Sequence, residues 1–194
     1  MPDRPLRLFV ALMLPDDVQD RIRSVVRSWP ELRKQFRGRP ASEYHFTLKF
    51  LGDVARDDAE RVADALEPAF DGMRAFDVAL GRLGAFPNAG RASVLWWGVD
   101  DGADELRECA RRVEDALGPL GFDREKRSYK PHVTLARFRP PAKLGDWVEE
   151  ANGSPAVAGS ALRFEASHVS LVRSELSRQG ARYSEVCAIS MDAD

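Results

Sequence analysis

The chain has 194 residues, 44% of them hydrophobic and 31% charged, and a formal net charge of −2. That length can bury a real core as one domain or as two small lobes, and the composition is that of a soluble globular protein. A charge this close to zero excludes an overall basic field for nucleic acid, so any polyanion site has to be local.

No apolar run approaches the roughly 18 residues of a membrane span, and the N-terminus has no signal-peptide layout. Cys109 and Cys187 have no ligand spacing, so they read as buried thiols of a reducing, cytoplasmic compartment. The excess of arginine, 24 against five lysines, is as compatible with genome composition as with phosphate binding.

In chain order, residues 6–12 form a buried strand. Asp16 or Asp17 then caps a helix with Val18, Ile22, Val25, Val26 and Trp29 on one face, and Pro30 stops it. A strand beginning near His45 follows, then a helix over 57–67 burying Val62, Ala65 and Leu66. Strands over 76–83 and 93–99 are joined by the turn Pro87-Asn88-Ala89-Gly90.

A helix over 102–117 buries Leu106, Ala110, Val113 and Leu117 and ends at Gly118-Pro119. After it come a strand near His132, a short helix over 147–151, and strands over 162–172 and 183–191.

The order strand, helix, strand, helix, strand thus occurs twice. Leu8 precedes His45 by 37 positions and Val94 precedes His132 by 38, while Phe76 and Phe164 are 88 apart and the two histidines 87. Near-constant offsets predict one bilobal domain with internal duplication, residues 1–90 and 91–194. The expected fold is α+β: two pseudo-symmetric lobes of antiparallel sheet with helices outside and a cleft between them.

Two of the three histidines open a repeated phrase, His45-Phe46-Thr47-Leu48 and His132-Val133-Thr134-Leu135. On a strand, residues two apart share a face, so each His stands beside its Thr while Phe46, Leu48, Val133 and Leu135 point into a core. Histidine titrates near neutrality. Two imidazoles flanking a phosphate can therefore deliver one proton and accept another, each role worth about 10²–10⁴ in rate. The threonine hydroxyls can donate to nonbridging oxygens. This scheme needs no metal or other cofactor and predicts a bell-shaped pH profile near neutrality.

The extended contexts carry a resemblance. Arg7-Leu8-Phe9-Val10-Ala11, the block from His45 to Gly52, the strand from Val94 to Val99, Pro131 to Arg137 and the stretch from Ser174 to Tyr183 together resemble the 2H phosphoesterase superfamily. Within it the chain is similar to the RNA 2′,3′-cyclic phosphodiesterases, historically called 2′-5′ RNA ligases. The resemblance implies hydrolysis of RNA 2′,3′-cyclic phosphate ends to a 2′-phosphate. It makes His45 the proton donor to the leaving ribose oxygen, His132 the activator of water, and Thr47 and Thr134 the phosphate holders.

Arg137 matches a basic position expected near the phosphate. On an ideal strand it would face away from His132, so a bulge or strand end after Leu135 is needed to bring it round.

Other readings stand beside this one. The substrate could be a smaller cyclic phosphodiester, such as an ADP-ribose cyclic phosphate, or a 2′-5′-linked oligonucleotide. Weak ligation with a 5′-hydroxyl in place of water is the same chemistry reversed, and a non-catalytic RNA-end binder is a different class. A zinc site would want three protein ligands, and the sequence has no HExxH or cysteine cluster.

His168 reads as a surface or packing residue. Lys49 shares the parity of His45 and reads as a solvated lysine able to approach the cleft; Arg127 and Lys130 could form a basic approach. Phe9, Tyr44, Phe86 and Tyr129 are candidates for stacking on a base, and of Trp96 and Trp97 one is core. A monomer is adequate, with RNA ends or a small cyclic phosphodiester as the partner and no membrane.

Overall fold

The computed structural model describes residues 5–36, 38–41, 43–158, 162–177 and 180–192. The elements run β1 (Leu6–Met13), α1 (Asp16–Arg27), α2 (Glu31–Lys34), β2 (Arg39–Pro40), β3 (His45–Val54), α3 (Arg56–Leu66), β4 (Phe76–Phe86), β5 (Ala92–Asp101) and α4 (Ala103–Leu117). After these come β6 (Val133–Ala142), α5 (Trp147–Gly153), α6 (Pro155–Ala158), β7 (Arg163–Ala166), β8 (His168–Ser177) and β9 (Gly180–Ser190).

Each helix follows from its apolar stripe. In α1, Val18, Ile22 and Val26 recur at helical spacing and are buried. Its N-cap is Pro15, with no side-chain cap. Asp16 and Asp17 therefore lie in the first turn, where carboxylates favour the positive end of the helix dipole, rather than capping it. The longer α4 buries Leu106, Cys109, Ala110, Val113 and Leu117. It starts at Gly102, whose φ of +82 and lack of a Cβ, which would sit 2.4 Å from the Asp77 carbonyl oxygen, admit only glycine.

The described strands make one antiparallel sheet, in the order β7-β4-β5-β6-β3-β1-β8-β9, with β2 on β6. The expected α+β fold is present, and its two halves meet at one ladder position, Phe46 opposite Val133. Each half of the sheet draws strands from both halves of the sequence: β4 pairs with β5 and β7, and β8 and β9 lie beyond β1.

Two expectations change here. Residues 162–172 are two strands, because the chain leaves β4 after Ala166 and re-enters beside β1 and β9 as β8. Phe76 and Phe164 consequently lie on paired strands rather than at equivalent places. By pairing, the counterpart of β4 is β8: β4 flanks β5 as β8 flanks β1.

The core fills the helix side of the sheet, with Leu12, Ile22, Phe46, Leu66, Leu95, Trp97, Val133 and Leu135 all within 1% exposure. Trp97 is the core member of its pair and donates its indole N–H to the Gly81 carbonyl at 2.6 Å. The opposite face carries a small apolar cluster, Phe9, Ala11 and Val172, with Met13 and Tyr183 against it. Cys109 is buried, its thiol pushed up to about 12 by desolvation. Cys187 on β9 is only half-buried. Among the described residues no helix is long and apolar enough to cross a membrane.

Candidate active site

His45 opens β3 and His132 immediately precedes β6. Phe46 opposite Val133 fixes the local antiparallel register. One residue to either side, His45 therefore faces Thr134 and Thr47 faces His132. Phe46 and Val133 are fully buried, whereas the two His and two Thr are half-buried on the other face. Residues directly opposite on such a ladder lie about 5 Å apart and diagonal ones about 7–8 Å. The imidazoles thus occupy one diagonal of a small quadrilateral and the hydroxyls the other.

Two anchors set the imidazoles. Buried Gln19 donates to the Leu14 carbonyl at 3.1 Å and accepts from the Tyr44 amide at 3.2 Å, tying α1 to the approach of β3. His132 Nδ1 lies 2.7 Å from the Lys130 carbonyl. A carbonyl only accepts, so Nδ1 carries the proton and the neutral ring keeps its Nε2 lone pair free. His45 sits in an aromatic cage, with ring centres 5.0 Å from Phe9 and 5.3 Å from Tyr183, and among the described residues its buried Nδ1 has no partner. Phe86 and Trp96 flank His132 at 4.9 and 6.2 Å.

The electrostatics follow from this. Burial, with the positive charges of Arg137 and of protonated His132 acting in the same direction, lowers the His45 pKa to about 4. Burial also lowers His132; the hydrogen bond to Lys130 opposes that shift and Arg137 adds to it. Burial raises the Tyr183 phenol, with Arg137 pulling the other way.

Arg137 reaches these groups because β6 carries the bulge that the sequence required. Trp96 pairs with Thr134 but Leu95 with Ala136, leaving Leu135 extra. Leu135 and Ala136 are both buried, and Arg137 turns out to the face of His132 and Thr134.

The first motif has the matching bulge. Ala11 pairs with Thr47 and Val10 with Lys49, leaving Leu48 extra. It has the opposite effect on Lys49, which is 7% exposed and turned into the core, not solvated and not in the cleft. Its place on the open face goes to Phe50, 65% exposed and 6.0 Å from Phe9. Phe50 and Arg137 are therefore counterparts, an aromatic ring on one side and a cation on the other.

Of the stacking candidates, Tyr44 is 1% exposed and belongs to the core, and Tyr129 packs on the same core with a buried hydroxyl. Phe9 is buried beneath His45. Phe86 remains on the open face beside His132. The side chains of Arg127 and Lys130 are exposed. His168 opens β8 opposite Ser190.

Sequence reasoning missed Phe50 and Tyr183. Phe50 was obscured because alternation without a bulge places it in the core; Tyr183 comes from β9, far along the chain. A cavity of about 540 Å³ lies elsewhere, between α2 and α5, lined by residues including Trp29, Phe36 and Trp147 and by none of the motif residues. Among the described residues no group of three or more His, Cys, Asp or Glu is placed to hold a metal.

An α+β protein with a curled antiparallel sheet and two His-x-Thr strands joined edge to edge is the class these features define. The 2′-5′ RNA ligase superfamily profile matches residues 14–178, and the chain belongs to that family. An RNA 2′,3′-cyclic phosphodiesterase of Aeropyrum pernix is 37% identical over 140 residues, covering 72% of this chain and 77% of its own. One from Methanothermobacter thermautotrophicus is 28% identical over 181 residues, covering 93% and 96%. Such relatives are hydrolases.

The crystal structure of E. coli LigT complexed with 3′-AMP superposes with a TM-score of 0.73 at 21% identity, covering 96% of this chain and 98% of that one. That of TT0787 from Thermus thermophilus gives 0.73 at 24%, covering 97% and 100%. These two define the fold.

Proposed function

We propose that this protein hydrolyses RNA 2′,3′-cyclic phosphate ends to a 2′-phosphate, with His45 as general acid and His132 as general base. The observation that carries the reading is the pair of His-x-Thr strands in register at Phe46 and Val133, with a bulge turning Arg137 onto their shared face. The kinship with RNA 2′,3′-cyclic phosphodiesterases supports the substrate class.

In this scheme Thr47, Thr134 and Arg137 hold the nonbridging oxygens. His132 Nε2 takes a proton from water as its oxygen attacks phosphorus. The P–O3′ bond breaks on the opposite side, and His45 gives its proton to O3′. The water proton ends on His132 and the His45 proton on the new 3′-hydroxyl, so exchange with solvent resets both. No cofactor enters these steps.

The nucleoside remains attached to O3′ and therefore lies on the His45 side, where exposed Phe50 offers a face to its base, worth about 1–3 kcal/mol. E. coli LigT has been crystallised with 3′-AMP, which accords with a nucleotide in this groove. Ligation replaces water by a 5′-hydroxyl and is the minor reaction at ordinary water concentration. One chain supplies every group named, so a monomer suffices.

The test is hydrolysis of a short RNA ending in a 2′,3′-cyclic phosphate, with EDTA present, resolving 2′- from 3′-phosphate products. Formation of the 2′-phosphate is expected. Formation of the 3′-phosphate, or dependence on a divalent ion, rejects the scheme; no turnover with retained RNA-end binding favours the non-catalytic reading.

A further inference from the structure

Lys49 is a buried cation that the proposed chemistry does not use. Its Nζ donates to Glu114 Oε2 on α4 at 2.6 Å and to the Asp123 carbonyl at 2.7 Å, and its side chain is 6% exposed against 16% for Glu114. At the matched place in the second bulge stands Ala136, fully buried and uncharged. Packing at this bulge therefore does not require a charge, and burying an ion pair is costly compared with an apolar residue. Asp123 lies on the approach to the second motif, and Glu114 on α4 accepts from the Glu125 amide of the same approach.

The segment over 122–131 has no helix or strand of its own. It is fixed by the Phe122 amide on the Leu117 carbonyl, by Lys49 on Asp123, by Arg124 paired with Asp115 of α4, by the Glu125 amide reaching Glu114 Oε1 at 3.4 Å, by the Arg127 amide on Glu125 Oε1 at 3.2 Å, and by Phe122 and Tyr129 packed on the core. Its penultimate residue is Lys130, whose carbonyl holds His132 Nδ1. A strand that begins with one histidine thus grips the segment that delivers the other.

We propose that Lys49 is a positioning residue, which through Asp123 and Glu114 sets the segment over 122–131 so that the Lys130 carbonyl holds His132 in the Nδ1–H form. Its effect on rate rests on the function proposed above; its effect on His132 does not. Without this grip the Lys130 carbonyl drifts from the imidazole and both tautomers are populated.

The experiment compares wild type with Lys49→Met, Lys49→Arg and the double variant Lys49→Met/Glu114→Met, which leaves no unpaired charge in the core. Long-range ¹H–¹⁵N spectra report the His132 tautomer, and steady-state kinetics are run on the cyclic-phosphate RNA. The expected result is a single Nδ1–H tautomer in wild type. Both Met variants should show the Nδ1–H form reduced to a tenth or less and a kcat lowered at least 10-fold, with KM changed less than 3-fold. Lys49→Arg, keeping the charge, should recover part of both.

A folded double variant with the wild-type tautomer and kcat within 2-fold overturns the proposal. So does failure of the double variant to fold, which would make the pair an element of folding alone. A wild type inactive on this RNA would sink the proposed function, while the tautomer comparison would still decide the role of Lys49.

Discussion

In the proposed scheme the free protein holds the wrong protonation state for its acid, His45, and substrate has to correct it. With its pKa lowered to about 4 by burial, His45 carries its proton in only about one molecule in a thousand at pH 7. A phosphodiester anion about 4 Å from the ring contributes about 4 kcal/mol at an effective dielectric of about 20, or about three pKa units. Bound, His45 then titrates near about 7, and its proton is available where the reaction runs.

NMR titration of the His45 imidazole with and without saturating 2′-AMP checks this directly. The midpoint is expected near about 4 alone and about three units higher with the nucleotide. In kinetics, both limbs of the kcat/KM profile should fall below the ordinary histidine value, because burial lowers both imidazoles. The kcat profile should sit closer to neutrality, so the neutral bell expected from sequence belongs to the complex. A free His45 titrating at 6 or above, or one that 2′-AMP leaves unmoved, refutes the reasoning.

Stability should follow the same group. Between pH 6.5 and about 4 the unfolded chain binds a proton that native His45 refuses, so unfolding free energy rises with pH there. The contribution is full above 6.5 and lost by about 4, worth about 3 kcal/mol; denaturant melts of His45→Asn should show a flatter acid slope than wild type.

Substituting His132 by Ala should lower kcat about 10²–10⁴-fold with nucleotide affinity nearly kept, read by single-turnover kinetics and calorimetry. Phe50→Ala should raise KM for a nucleoside cyclic phosphate about 5–150-fold, from the loss of about 1–3 kcal/mol of stacking, with kcat changed little. Gly84→Ala should lower kcat, because its Cβ would fall 2.2 Å from the Trp96 indole, which lies beside His132; unaltered kinetics would show that Trp96 does not shape the site.

The sequence by itself determined the parts whose causes are local. Helical stripes such as Val18, Ile22 and Val26 placed the helices, and the alternation around Phe46 and Val133 assigned the faces, because side-chain periodicity is a property of neighbouring residues. The family likeness also lay in contiguous words, and the profile match confirms it.

Tertiary structure decided what depends on pairing. A bulge has no sign in one strand alone, since it exists only against a partner with one residue fewer. Alternation therefore read Lys49 as open to the cleft, and the pairing of β1 with β3 turned it inward and brought Phe50 out. The same device rescued Arg137.

That His45 and His132 share one face rests on a single long-range bridge, Phe46 with Val133. Tyr183 arrives at His45 only because β8 and β9 return to β1. The low pKa of His45 is likewise invisible in the chain, being the sum of a cage and two cations assembled from strands far apart in sequence.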